Sequence, residues 1–160
     1  MYYLKKDSLL ERITTNPLVM TGKPTVRGSR LTVEHIIKAV NSGLSYEDLK
    51  IDFPFLEEDD LEACILYNDI QIFKDLSIEP YYCNNSEIKV IYDFSEMGYD
   101  ESRSYIIIGS TGMDGIQFRI KHDSSSKVVF AYYPIKDENI EIAESPKDLV
   151  EKWKMNKIIL

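Results

Sequence analysis

Hydrophobic positions follow a helical rhythm in the first half of the chain. Val33, Ile36, Ile37 and Val40 recur at i, i+3, i+4 and i+7, with Thr32 placed to cap the start and Gly43 to follow the end, which predicts an amphipathic helix. A second, shorter helix is expected from Ser45. Its acids Glu47 and Asp48 fall in the first turn, where the helix dipole favours them, and Phe53-Pro54 ends it. A third helix begins near Glu57 with Glu58, Asp59 and Asp60 in its opening turn, and Leu61, Ile65, Ile72 and Leu76, joined by Leu66, Ile70 and Phe73, give it a broad apolar face.

From about Glu87 the period becomes strand-like. Ile88 to Tyr92, Ser104 to Ile108, Gly115 to Ile120, Lys127 to Tyr133 and Asn139 to Ala143 are short, β-branched or aromatic, and parted by Gly, Asn, Asp or Ser turns. Such spacing predicts an antiparallel meander. It closes on Ser145-Pro146-Lys147-Asp148, an N-cap, an N1 proline and an acid at N3, opening a helix through Leu149, Val150 and Trp153. The boundary is placed at residues 77–86, where Glu79-Pro80 and Cys83-Asn84-Asn85-Ser86 interrupt both patterns. The expected class is α+β: a helical, winged helix-turn-helix-like domain over residues 1–78, then an antiparallel meander with a C-terminal helix over residues 79–160.

Charge sharpens this division. The chain of 160 residues carries a net charge of −8, and its sequence pI of about 4.8 argues against coating nucleic acid or anionic membrane by bulk charge. Residues 1–38 hold seven bases against three acids, net +4; residues 39–78 hold two against ten, net −8; residues 79–160 hold ten against fourteen, net −4. Any anion-binding role is therefore concentrated at the front. Cys64 and Cys83 lack CxxC spacing and a nearby histidine, so neither a zinc site nor a redox motif is expected, and no metal or cofactor is assigned. Asp7 interrupts the start before any apolar run of signal-peptide length, and no run reaches the roughly 18 residues of a membrane span, so a cytoplasmic protein with no membrane role is expected.

The most specific signal is Gly22-Lys23-Pro24-Thr25-Val26-Arg27-Gly28-Ser29-Arg30-Leu31-Thr32-Val33, running straight into the first helix. Its glycines and proline predict a tight hairpin whose strands display Lys23, Arg27 and Arg30, followed by the helix, turn, helix order of a helix-turn-helix unit. With Gly43-Leu44-Ser45-Tyr46-Glu47-Asp48-Leu49, Pro54-Phe55-Leu56 and Asp60-Leu61-Glu62-Ala63, residues 10–69 resemble the family known as domain of unknown function 433. The resemblance implies a winged-helix-like fold of small bacterial proteins, some of them antitoxin-like partners of a PIN-type ribonuclease. Ser29 stands where threonine is usual, and Thr21 where a second glycine is common.

The second helix carries Glu47, Asp48 and Asp52 against the single base Lys50, which makes it a poor reader of a major groove. Two readings of the hairpin stay open. Lys23, Arg27 and Arg30, helped by Lys5, Lys6 and Arg12, contact nucleic-acid phosphates; or Arg27 and Arg30 pair with the acidic helices and fix the hairpin on its own domain.

Residues 103–155 resemble, more weakly, the C-terminal half of the Smi/Knr-type SUKH superfamily, through Tyr105-Ile106-Ile107-Ile108-Gly109, Asp114-Gly115-Ile116-Gln117-Phe118, Val128 to Tyr133 and Ile142 to Val150. That implies a module of immunity proteins that bind and block a toxin. Tyr132 and Tyr133 are candidate partner-binding residues, since amphipathic aromatics are enriched at interface cores, although strand alternation turns only one of them outward. The Gly109 to Gly115 segment lacks the lysine and following helix of a phosphate loop and reads as a turn. His35 and His122 lack a nucleophile or metal partner in sequence, and the acids Glu57 to Asp60 read as a solvated helix start.

With no catalytic constellation, the expected function is that of a non-enzymatic antitoxin or immunity-type protein whose acidic body meets a basic toxin, for instance a PIN-type ribonuclease or other nuclease. The alternative is a DNA-binding autoregulator, possible as a homodimer, acting on operator DNA through its N-terminal domain.

Overall fold

The computed structural model describes residues 7–112, 114–122 and 125–158. It is a mixed α+β chain that divides into two compact units, the break falling between Ile72 and Phe73.

In the first unit, residues 7–10 are helical and lead into β1 (Ile13–Thr14), which pairs antiparallel with β2 (Thr25–Val26) in the register Ile13↔Val26 and Thr14↔Thr25. Between them a short 3-10 turn spans Met20–Gly22, and Thr21 there has φ +56°. The predicted hairpin is narrower than the glycine spacing implies. It runs from Thr25 to Thr32, which bridge each other, and its loop is Arg27 to Arg30. The Val26 N–H donates to the Leu31 carbonyl at 2.9 Å, and Gly28 takes φ +69°, which glycine adopts without strain. Ser29 Oγ donates to the Val26 carbonyl at 2.8 Å and accepts from the Leu31 N–H at 3.1 Å. Serine thus supplies the hydroxyl that threonine would, and the loop is fastened from within. Lys23 lies ahead of the hairpin, not on its strands, a correction to the expected display.

Three helices follow as their caps predict. α1 (Val33–Asn41) has Thr32 as N-cap, accepting from the His35 N–H, and Gly43 just beyond the C-cap Ser42. α2 (Tyr46–Asp52) opens on a capping box of Ser45 and Asp48 and ends at Phe53, before Pro54. α3 spans Glu58–Asp75. Val26, Leu31, Val33, Ile36, Leu49, Leu56 and Cys64 form the unit's buried core.

The second unit holds the meander. β5 (Gly98–Tyr99), β6 (Tyr105–Ser110), β7 (Gln117–Lys121), β8 (Val129–Tyr133) and β9 (Glu138–Ala143) hydrogen-bond in chain order, all antiparallel. A separate hairpin pairs β3 (Tyr81–Cys83) with β4 (Ile88–Ile91), so part of the stretch expected as an interrupting boundary is a strand. Ile106, Ile108, Phe118, Ile120, Val129 and Ala131 are buried, and α4 (Pro146–Lys154) contributes buried Leu149 and half-buried Trp153, the latter edge-on to Phe118 at 5.9 Å. Gly109 is dictated by close approach: a Cβ there would lie 1.9 Å from the Val90 carbonyl oxygen. Among the described residues no helix is long and apolar enough to cross a membrane.

Candidate functional site

The basic residues of the front segment are mostly neutralised within the first unit. Arg12, just ahead of β1, donates to Glu57 Oε2 at 2.7 Å, Asp60 Oδ1 at 2.9 Å and Asp59 Oδ2 at 3.1 Å. The hydrogen bond to Glu57, then that to Asp60, raises the pKa of Arg12. The Asp60 side chain is only 5% exposed, and its second oxygen accepts the Glu57 N–H at 2.9 Å, closing the start of α3. The Arg12 carbonyl also accepts the Arg27 N–H at 2.8 Å, which ties the arginine loop to the same anchor.

Of the three residues assigned to nucleic acid, two have acidic partners. Lys23 Nζ lies 2.9 Å from Glu34 Oε2, and Lys38 takes the other oxygen at 2.7 Å; the bond from Lys23 and then that from Lys38 hold the Glu34 carboxyl down to about 2. Arg27 Nη2 lies 3.7 Å from Glu57 Oε2. Arg30 is exposed and, among the described residues, makes no ion pair. The pairing alternative thus describes Arg27 but not Arg30. Lys5 and Lys6 lie outside the described residues.

A groove of about 820 Å3 runs beside the loop, lined among others by Arg27, Arg30, Thr32, His35, Phe53 and Phe55. One wall is aromatic: His35 meets Phe53 edge-on at 5.6 Å, and Phe53 meets Phe55 at 6.2 Å, with Phe55 54% exposed. A second groove, about 620 Å3, lies against the loop from Thr14 to Pro17, so the turn is a ridge between two depressions. The aromatic wall is what sequence reasoning missed, because Phe53-Pro54-Phe55 signals a helix stop before it signals a surface.

The same segment exposes apolar side chains among acids. Leu44, Ile51 and Phe55 are exposed at 45%, 78% and 54%, interspersed with exposed Glu47, Asp48, Asp52, Glu57, Glu58 and Asp59. Asp48 has its carboxyl pKa lowered by the Ser45 backbone N–H and then its hydroxyl. The lone base of α2, Lys50, folds back onto Tyr46, donating to its hydroxyl at 2.9 Å, while that hydroxyl donates to the Leu56 carbonyl at 3.1 Å. The outer surface of α2 is thereby left acidic and apolar.

In the second unit, Tyr132 and Tyr133 are half-buried neighbours on β8 and point to opposite faces. The Tyr132 hydroxyl donates to Asp137 at 2.9 Å, and the Arg119 guanidinium lies 3.5 Å from its ring centroid while donating twice to Gln117 Oε1. Tyr133 has Lys136 over its ring at 6.0 Å. The structure does not join the two tyrosines into one site. His122 Nε2 is 3.2 Å from the Tyr99 hydroxyl, with rings 4.8 Å apart, a packing role; Asp123, its neighbour, lies outside the described residues. Among the described residues no group of three or more His, Cys, Asp or Glu side chains is placed to hold a metal ion.

What these elements define is a small α+β unit whose loop, aromatic wall and acidic helix share one short stretch of chain. Residues 13–68, most of that unit, match the model of a family described as protein of unknown function (DUF433). No curated protein and no solved structure matches the chain.

Proposed function

We propose that the protein is a non-enzymatic, partner-binding protein of the antitoxin or immunity kind, which neutralises a basic protein toxin through the acidic and apolar surface around α2. The observation that carries this is the exposure of Leu44, Ile51 and Phe55 among six exposed acids between residues 44 and 59. Large apolar side chains rimmed by charge mark an interaction surface, and acids of one sign speed the approach of a basic partner. The order of hairpin, α1, short turn and α2 is read as winged helix-turn-helix-like, with α2 in the position of a recognition helix turned to protein recognition. The likeness of residues 103–155 to immunity modules belongs to the same reading. A PIN-type ribonuclease or other basic nuclease is the partner class it favours.

Co-expression with the product of the neighbouring gene tests this. A stable complex and restored growth are expected; no complex and no rescue would sink the reading.

One observation favours a second reading, a DNA-binding autoregulator: Arg30 is exposed on its loop and makes no ion pair among the described residues. A gel-shift at low salt with upstream DNA is its test. Binding lost in Arg30→Ala supports it, and undetectable binding leaves the protein-partner role alone.

A further inference from the structure

We infer that the groove between the arginine loop and the aromatic wall anchors an extended peptide segment of the protein partner, one that sets an apolar side chain beside a carboxylate. The inference rests on the partner-binding reading and adds which part of the partner is gripped. Four observations support it.

Arg30 offers an exposed guanidinium with no ion pair among the described residues, and a planar fork of N–H donors matches a carboxylate. In the same groove, Phe55 is more than half exposed and edge-on to Phe53, an apolar seat in a volume of about 820 Å3 that suits a few side chains. The loop that presents Arg30 is set before any ligand arrives. The Arg27 N–H is held on the Arg12 carbonyl, Ser29 Oγ is bonded on both sides, and Gly28 is in its favoured left-handed region, so little ordering is left to oppose binding.

The fourth observation selects the occupant. A nucleic-acid strand needs a run of cations for successive phosphates, whereas here Lys23 is held by Glu34 and Arg27 faces Glu57. Glu57, with its side chain 59% exposed, lines the groove and repels a second phosphate. One cation without an ion pair among the described residues, an aromatic wall and a nearby acid fit a peptide with a single carboxylate.

The probe is a displayed library of random linear peptides selected on the full-length protein, with an oligothymidylate measured beside it by fluorescence anisotropy. Selected peptides are expected to pair an aromatic or aliphatic residue with Asp or Glu. A synthetic copy should lose about tenfold in affinity in Arg30→Ala, the scale of one lost charge-assisted contact. It should lose a similar factor in Phe55→Ala and nothing in Lys23→Ala. Amide exchange at Val26 checks that each variant stays folded. The inference is overturned by selection of no peptide, by peptides without an acid, by affinities indifferent to both substitutions, or by oligothymidylate binding that Arg30→Ala abolishes. Ile51→Lys separates the two readings: if it weakens a toxin complex while no peptide is selected, only the groove assignment fails.

Discussion

Replacing Arg12 by methionine removes the charge that holds the front unit together and keeps most of the side chain's apolar bulk. Its three acceptors are unequal. Glu57 and Asp59 are 59% and 52% exposed, and solvent-screened pairs of that kind are each worth about 0–1 kcal/mol. Asp60, at 5% exposure, is different: without Arg12 its carboxylate is a buried charge with one backbone N–H for company, and breaking such a pair costs about 3–5 kcal/mol. Because the Arg12 side chain is itself 15% exposed, the low end applies, about 3 kcal/mol in all. The assay is native-state amide exchange on the full chain, followed at the Val26 N–H, which is bonded to the Leu31 carbonyl inside the arginine loop. Protection there should fall by roughly 100-fold, the factor corresponding to that energy. Adding Asp60→Asn removes the stranded charge while keeping an oxygen for the Glu57 N–H. The double variant should therefore regain about 1–2 kcal/mol over Arg12→Met alone. A loss of protection under about fivefold, or a double variant less stable than Arg12→Met, would refute the argument that Asp60 is the group Arg12 is there to neutralise.

Three further outcomes follow from particular groups. The Glu34 carboxyl, held down to about 2 by Lys23 and then Lys38, should titrate by NMR near that value and not near the usual 4.5. Its depressed pKa means that its stabilising contribution is present above about pH 4.5 and is lost as pH falls towards 2; an unshifted titration contradicts the pairing. Burial first, and then Asp60, pushes the Cys64 thiol up to about 12, whereas hydrogen bonds from Ser86 lower that of Cys83, so iodoacetamide at neutral pH should label Cys83 alone until urea unfolds the chain. Gly109→Ala places a methyl 1.9 Å from the Val90 carbonyl oxygen and should cost about 1–3 kcal/mol, read as an earlier urea midpoint of Trp153 fluorescence; an unchanged midpoint would show that β4 and β6 are not so closely packed.

Helix starts were the most legible features in the sequence because their signals are local. Thr32, Ser45 and Ser145 each accept the N–H three residues on, as their spacing predicts. Strand alternation gave the meander from β6 to β9 for the same reason. β3 and β5 were hidden: three and two residues are too short to show a period, and Tyr81–Cys83 sits in turn-like composition. At the candidate site, the basic front segment was visible but its neutralisation was not. Arg12 finds its acids 45 to 48 positions away, a pairing that only the folded chain reveals. Its role changes accordingly, from an aid to anion binding to the anchor of the loop. The acidic character of α2 was legible throughout, and the exposure of Ile51 and Phe55 turns it from an objection to groove reading into the basis for the partner binding we propose.

On the function proposed, a protein partner sits on this acidic, apolar surface. Calorimetric titration of the full-length protein, wild type and Ile51→Lys, with the purified product of the neighbouring gene tests it most directly. A saturable complex is expected, whose affinity falls at least about tenfold on placing a lysine at the centre of the surface and whose formation slows as salt is raised. No complex with the wild type, or equal affinity for both proteins, would contradict it.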